Sequence, residues 1–200
     1  MTPQRPAHTE LGRFLLASGV LAREWAEPFD ATPRACFLPD LMWPLDPDTG
    51  RHLSVDRRTD PGEWERWAAT DTAITTQWDD GTHTGPTPGT VPTSSSSMPS
   101  VVTSMLGHAD IRPGTRVLEV GTGTGWNAAL LSARLGSGNV VTVEVDPVLA
   151  GMDPPGPGKG VRTPSTSSSR NGRWLSIARP FGQTRSSLAA SLVCRRTTST

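Results

Sequence analysis

The chain has 200 residues, enough for one domain with a real core, and a formal net charge of zero. That zero conceals a reversal. Residues 1–150 carry 18 acids against 11 arginines, whereas residues 151–200 carry eight cations against Asp153 alone, which reads as two segments of different origin or role. Cys36 and Cys194 are too few for a metal or disulfide framework, no run approaches the ~18 apolar residues of a membrane span, and Met1 to Glu10 lacks a signal-type apolar stretch. A soluble cytoplasmic protein is expected, with neither a membrane nor a nucleic acid as partner.

In chain order, Leu11, Phe14, Leu15, Leu21, Ala22 and Trp25 recur at roughly helical spacing and predict an amphipathic helix over 10–27, ended by Pro28. Pro33, Pro39 and Pro44 keep the next stretch extended or turning. Asp60-Pro61-Gly62-Glu63 is a helix start with a capping acid and proline at the first position, and Trp64 and Trp67 follow on that helix. Thr72 to Trp78 is β-branched and strand-like, and Asp79-Asp80-Gly81 closes it as a turn. From 81 to 97 the sequence is almost wholly Gly, Pro, Thr and Ser, the composition of a linker. A helix is predicted from Pro99 through Leu106, a strand over 115–120, a tight loop over 121–125, a helix over 126–135 and a strand over 140–145. The last four form a β-loop-α-β unit, the strongest signal in the chain.

The loop of that unit is Gly121-Thr122-Gly123-Thr124-Gly125, set directly after a strand. Glycine there lets the backbone turn sharply and lets a ligand approach without a Cβ in the way. Free N–H groups at the start of the next helix face that ligand. The dinucleotide fingerprint needs glycine at position 126, where this chain has Trp126. Glu119, two residues before the first glycine, suits a positively charged ligand end and disfavours phosphate. Glu144, at the end of the second strand, is placed for both hydroxyls of a ribose. The alternative is that the glycines merely permit tight strand–helix packing.

The stretch VLEVGTGTGWNAALLSARLGSGNVVTVEVDPVLA (117–150) resembles the cofactor half of the protein-L-isoaspartate O-methyltransferase family, within the class I S-adenosylmethionine-dependent methyltransferases. TPRACFLPD (32–40) is similar to the family's early Pro-Arg segment. TQWDDG (76–81) and SSSSMPSVVTSML (94–106) stand where its Ser-x-Pro loop and helix stand. The resemblance covers about 30–150. It implies an α/β, partial Rossmann-like fold, with a helical, substrate-side region over 1–110 and the start of the cofactor domain over 111–150. S-adenosyl-L-methionine is the implied cofactor, held by Glu119, Gly121, Thr122, Gly123, Gly125 and Glu144, with no metal. A protein or peptide bearing an isoaspartyl or aspartyl residue is the implied substrate, and protein repair the implied role. The insert Leu41 to Trp67 is more similar to relatives that methylate aspartate in ribosomally made peptides, and a non-catalytic remnant is a third reading.

A free carboxylate is ionised at neutral pH and needs no general base. The enzyme must supply placement, and a hydroxyl that orients the carboxylate suits this. By resemblance that hydroxyl is Ser97, one residue before Met98-Pro99, with the register within Ser94 to Ser97 open. The ester formed would cyclise to a succinimide. Ser97 can equally be read as a cap for the helix starting at Pro99.

Residues 151–200 do not continue the resemblance. Gly, Pro, Ser and Thr dominate, GMDPPGPGKG opposes helix, and no β-branched run of strand length is present. This stretch is expected to be out-of-frame sequence or a basic disordered tail, leaving the family's later strands missing. One edge of the first parallel strand would then be unpaired, and the chain poorly stable and weakly active.

Overall fold

The computed structural model describes residues 9–150 and the backbone of residues 192–196. Helix α1 (Glu10–Ala17) starts at Thr9, whose hydroxyl accepts the Gly12 N–H at 3.0 Å. The single helix expected over 10–27 is broken in two. Gly19, at φ 76°, turns the chain, and a 3₁₀ turn at Arg23–Trp25 leads into α2 (Ala26–Ala31). Pro28 lies inside α2 instead of ending it. It is the third helical residue, where a backbone N–H has no partner in any helix, so proline removes no bond.

The insert folds. Strands β1 (Leu41–Pro44) and β2 (Val55–Asp56) pair antiparallel, and α3 (Pro61–Ala68) follows. Asp60 caps α3 as the sequence predicts, accepting the Glu63 N–H at 2.9 Å. Met42, Val55, Trp64, Trp67 and Ile74 make a small core there, and the Trp64 indole N–H donates to the Pro39 carbonyl at 3.0 Å.

Strand β3 (Ile74–Trp78) pairs with β1 and with β4 (Pro92–Ser96), giving the sheet order β2-β1-β3-β4. The sequence reading of 81–97 as linker is wrong for β4. Its residues have weak strand propensity, but Ser94 and Ser96 are buried with their hydroxyls satisfied. Thr76 Oγ1 donates to Ser94 Oγ at 3.2 Å, and Arg34 Nε donates to Ser96 Oγ at 2.9 Å. The connecting loop is tied down too, since Asp79 accepts the N–H groups of Thr90 and Val91 at 3.0 and 2.8 Å.

The second half is the expected β-loop-α-β unit. Strands β5 (Arg116–Val120) and β6 (Val140–Val143) are parallel, Val117 opposite Val140, with α5 (Trp126–Leu135) between them and α4 (Pro99–His108) before them. A one-turn helix α6 (Pro147–Ala150) closes the unit, although the sequence after Ala150 opposes helix. Leu15, Trp25, Phe29, Val102, Leu106, Leu130 and Leu131 join α1, α2, α4 and α5 in one core. Each of the fully buried leucines contributes roughly 1.5–3 kcal/mol.

Two expectations about the C-terminal stretch need correction. Strand β7 (Leu192–Arg196) exists and pairs antiparallel with β5, Val120 opposite Leu192, so the outer edge of β5 is not open. Backbone ladders use N–H and C=O groups that every non-proline residue has, so composition alone was a poor guide. The disordered or out-of-frame reading of 151–191 and 197–200 lies outside the described residues.

Candidate functional site

A cavity of about 520 Å³ lies where the two sheets meet, within the range of roughly 300–1,000 Å³ usual for small-molecule sites. Ser94 to Ser97, leaving β4, line one part of it, and Gly121 to Thr124, leaving β5, line another. Glu144 and Asp146, just past β6, and Val101 and Met105 on α4 complete the surround. Among the described lining residues there are acids but no lysine or arginine.

The bend has the geometry its glycines predict. Gly121 and Gly125 have φ of 89° and 82°, left-handed values that residues with a Cβ rarely adopt. A Cβ on Gly123 would stand 3.8 Å from both Ser94 Oγ and the Ser95 carbonyl oxygen, so bend and β4 are close neighbours. Thr122 lines the cavity, and its hydroxyl lies 2.6 Å from that of Thr142.

Glu144 faces the bend. Its Oε2 accepts the Gly123 N–H at 2.8 Å, and its Oε1 accepts the N–H groups of Val145 and Asp146 at 2.8 and 3.1 Å. A carboxylate offers about four acceptor positions, so these bonds leave room for one further hydroxyl rather than two.

Glu119 is not where the sequence reading put it. It is 0% exposed, beneath the bend, and is not among the residues lining the cavity. Asn127 Nδ2 donates to it at 2.6 Å and Thr142 Oγ1 at 2.7 Å. The alternation of β5 explains this placement. Val117 and Glu119 point to the covered face, and Leu118 and Val120 to the other. Glu119 therefore secures Asn127 and, through Thr142, Thr122, both of which line the cavity.

Ser97 lines the cavity, and among the described residues its hydroxyl has no hydrogen-bond partner. The capping alternative does not hold. The residue preceding α4 is Met98, without a side-chain cap, and the helix start is served instead by Asp71, whose Oδ1 accepts the Ser100 N–H at 2.8 Å.

Sequence reasoning missed several residues of the site. Asn127 was legible as a lone polar residue in an apolar helix start. Gln77 and Asp146 were not, because they are far apart in sequence and meet only in space. The Gln77 amide donates to Asp146 Oδ2 at 2.8 Å, bridging the two sheets. That amide, then the N–H groups of Val148 and Leu149, hold the Asp146 carboxyl below the usual carboxylate range. Among the described residues no three His, Cys, Asp or Glu side chains converge on a point, and no helix is long and apolar enough to cross a membrane.

A parallel strand pair, a glycine bend and an acid at the end of the second strand define a Rossmann-like α/β unit. Comparison with known proteins narrows this. The family model of protein-L-isoaspartate(D-aspartate) O-methyltransferase matches residues 69–152. The protein-L-isoaspartate O-methyltransferase of Pyrococcus horikoshii is 53% identical over 53 residues, 26% of this chain and 24% of that one. The Methanocella arvoryzae protein of the same name is 51% identical over 57 residues, 28% of this chain and 30% of that one. A solved structure titled protein-L-isoaspartate O-methyltransferase aligns at 27% identity with a TM-score of 0.48, over 70% of this chain and 35% of that one. Residues 69–152 are thus similar to the protein-L-isoaspartate O-methyltransferase family, and the chain is similar to proteins of that name. It spans about a quarter to a third of the length of these relatives.

Proposed function

We propose that the cavity binds S-adenosyl-L-methionine and that the chain transfers its methyl group to the carboxylate of an isoaspartyl, or aspartyl, residue in a protein or peptide. The observation that carries this reading is the meeting, in one cavity, of the glycine bend with Glu144 and of Ser97, whose hydroxyl has no hydrogen-bond partner among the described residues. The cavity fits the cofactor. Its lining acids suit a cation, and the bend at Gly121, Gly123 and Gly125 admits a ligand without a Cβ in its way.

Bound there, the cofactor would supply an electrophilic methyl group to the acceptor oxygen, its sulfur keeping the electron pair of the carbon–sulfur bond. Every other contribution is placement. Glu144 and the backbone of the bend hold the nucleoside end. Thr122 and Asn127 border it, kept in position by Glu119. Ser97 donates a hydrogen bond to one oxygen of the acceptor carboxylate and leaves the other free to attack. No base is required, because an ordinary carboxyl, with a pKa near 4, is already ionised at neutral pH.

A second reading, in which the acceptor is an aspartate of a ribosomally made peptide, is supported by the insert. It folds as β1, β2 and α3 and shares a sheet with β4, whose end presents Ser97. The test is calorimetric titration of the chain with S-adenosyl-L-methionine, then transfer of labelled methyl to matched isoaspartyl and aspartyl peptides. Micromolar binding with transfer to the isoaspartyl peptide is expected. Preference for the aspartyl peptide favours the second reading, and absence of binding leaves a non-catalytic remnant.

A further inference from the structure

Arg34 is buried, 6% exposed, and all five of its contacts are with uncharged groups. Its Nε donates to Ser96 Oγ at 2.9 Å and its Nη2 to the Ser96 carbonyl at 2.8 Å. The same Nη2 reaches the Thr72 carbonyl at 2.9 Å, and Nη1 reaches that of Thr70 at 3.2 Å. The guanidinium carbon stands 5.7 Å from the centre of the Trp126 ring. Among the described residues no carboxylate lies within ion-pair distance of it. Burial pushes the guanidinium down to about 9, with Asp71 pulling the other way, so it remains charged at neutral pH. Holding a cation on neutral acceptors is costly, and a tie between loops does not require it.

We propose that Arg34 is a positioning residue for methyl transfer, fixing Ser97 relative to the glycine bend. The proposal rests on the reading of Ser97 given above. The Ser96 carbonyl belongs to the peptide unit that joins Ser96 to Ser97, so the bond from Nη2 sets the plane from which Ser97 departs. Three residues further on, Asp71 holds the Ser100 N–H. Asp71 sits between Thr70 and Thr72, whose carbonyls Arg34 holds, so one turn anchors both sides of the serine. On the cofactor side Arg34 stacks on Trp126, the first residue of α5 directly after the bend, whose indole N–H donates to the Thr32 carbonyl at 2.9 Å. One side chain thus touches the segment that presents the hydroxyl and the helix that presents the cofactor.

The experiment is a double-mutant cycle of Arg34→Lys and Ser97→Ala in the full chain, read by methyl transfer to an isoaspartyl peptide, cofactor titration and amide spectra. A lysine keeps the charge but cannot span Ser96, Thr70 and Thr72 together. Arg34→Lys is expected to lower kcat about 10- to 100-fold while cofactor affinity stays within roughly 3-fold. In the Ser97→Ala background the same change should cost less than about 3-fold, because its effect passes through the serine. Independently of turnover, the Ser97 and Ser100 amides and the Trp126 indole should shift together in Arg34→Lys. Equal losses in both backgrounds, or loss of cofactor affinity in step with kcat, would overturn the proposal. So would unmoved amides, even in a chain without turnover. If Ser97→Ala alone leaves kcat unchanged, the serine reading is what fails, and that single arm identifies it.

Discussion

Glu119 gives the sharpest test of how the bend is built. Replacing it with alanine takes the acceptor from the half-buried Asn127 Nδ2 and the buried Thr142 Oγ1, which now bond to it at 2.6 and 2.7 Å, and leaves a void beneath the bend. The unpaired Asn127 amide costs about 1–3 kcal/mol and the void adds about 1–2 kcal/mol, so Glu119→Ala should lose about 2–5 kcal/mol, a large share of the ~5–15 kcal/mol that keeps a domain folded. Glutamine should be far milder. Its amide oxygen still accepts from Asn127, and its amide N–H can face the Thr142 hydroxyl. That hydroxyl can turn its proton to Thr122 Oγ1, 2.6 Å away. The Thr122 proton then points into the cavity, and the net cost is about 1 kcal/mol. Urea unfolding followed by tryptophan fluorescence, with seven tryptophans in the chain, measures both variants, and cofactor titration runs beside it. An anchor predicts stability falling steeply in the alanine variant and little in the glutamine one. A direct ligand contact predicts the reverse, with affinity lost in Glu119→Gln and stability untouched. Glu119→Ala within about 0.5 kcal/mol of wild type would refute the reasoning.

Ser97→Ala should leave the melting temperature unchanged, because the hydroxyl has no partner among the described residues, and lower kcat roughly 10- to 100-fold in the methyl-transfer assay. Glu144→Gln keeps the side chain's size but replaces one acceptor oxygen by an NH2 group, so either the Gly123 bond or those of Val145 and Asp146 are lost; cofactor affinity should drop at least about 10-fold by calorimetry, more than kcat at saturation. The Thr90 and Val91 N–H groups hold the Asp79 carboxyl below the usual carboxylate range. A depressed folded value means this stabilisation is fully present above the unfolded pKa of about 3.9 and fades as pH falls through the lower folded value. Hydrogen exchange at Thr90 and Val91 should therefore quicken in that acid window and already be fast in Asp79→Asn at neutral pH.

The β-loop-α-β unit was legible because its signals are local. Three glycines between a β-branched strand and an apolar helix determine a bend whose φ values only glycine accepts readily, and the acid after the second strand follows from chain length alone. Where the sequence misled, distant partners decided. Nothing in PTSSS marks a strand until Arg34 and Thr76 are seen to satisfy its buried serines. Glu119 was assigned to the ligand from its distance to the glycines, but distance along a strand does not say which face a residue takes. The pattern of β5, with Val117 and Glu119 both inward, already held that information. The edge of β5 was judged open from composition, whereas backbone pairing with Leu192–Arg196 depends on composition only weakly.

The placement of Glu119 away from the cavity changes which residue would favour a sulfonium over a pyrophosphate. A dinucleotide site offers free N–H groups of its bend and helix start to phosphate oxygens. Here the Gly121 N–H donates to the Val143 carbonyl at 2.8 Å and the Gly125 N–H to the Thr122 carbonyl at 2.9 Å. The Gly123 N–H carries the Glu144 carboxylate, so an anion already stands where a phosphate oxygen would need to bind. Position 126, which a dinucleotide bend keeps free of a side chain, holds an indole that is 3% exposed and packed edge-on against Phe29, with ring centres 6.0 Å apart. Repulsion at Gly123 and bulk at Trp126 both weigh against a nicotinamide dinucleotide, and the same carboxylate attracts a cation. The proposed preference for a methyl donor thus rests on Glu144 more than on the acid before the glycines.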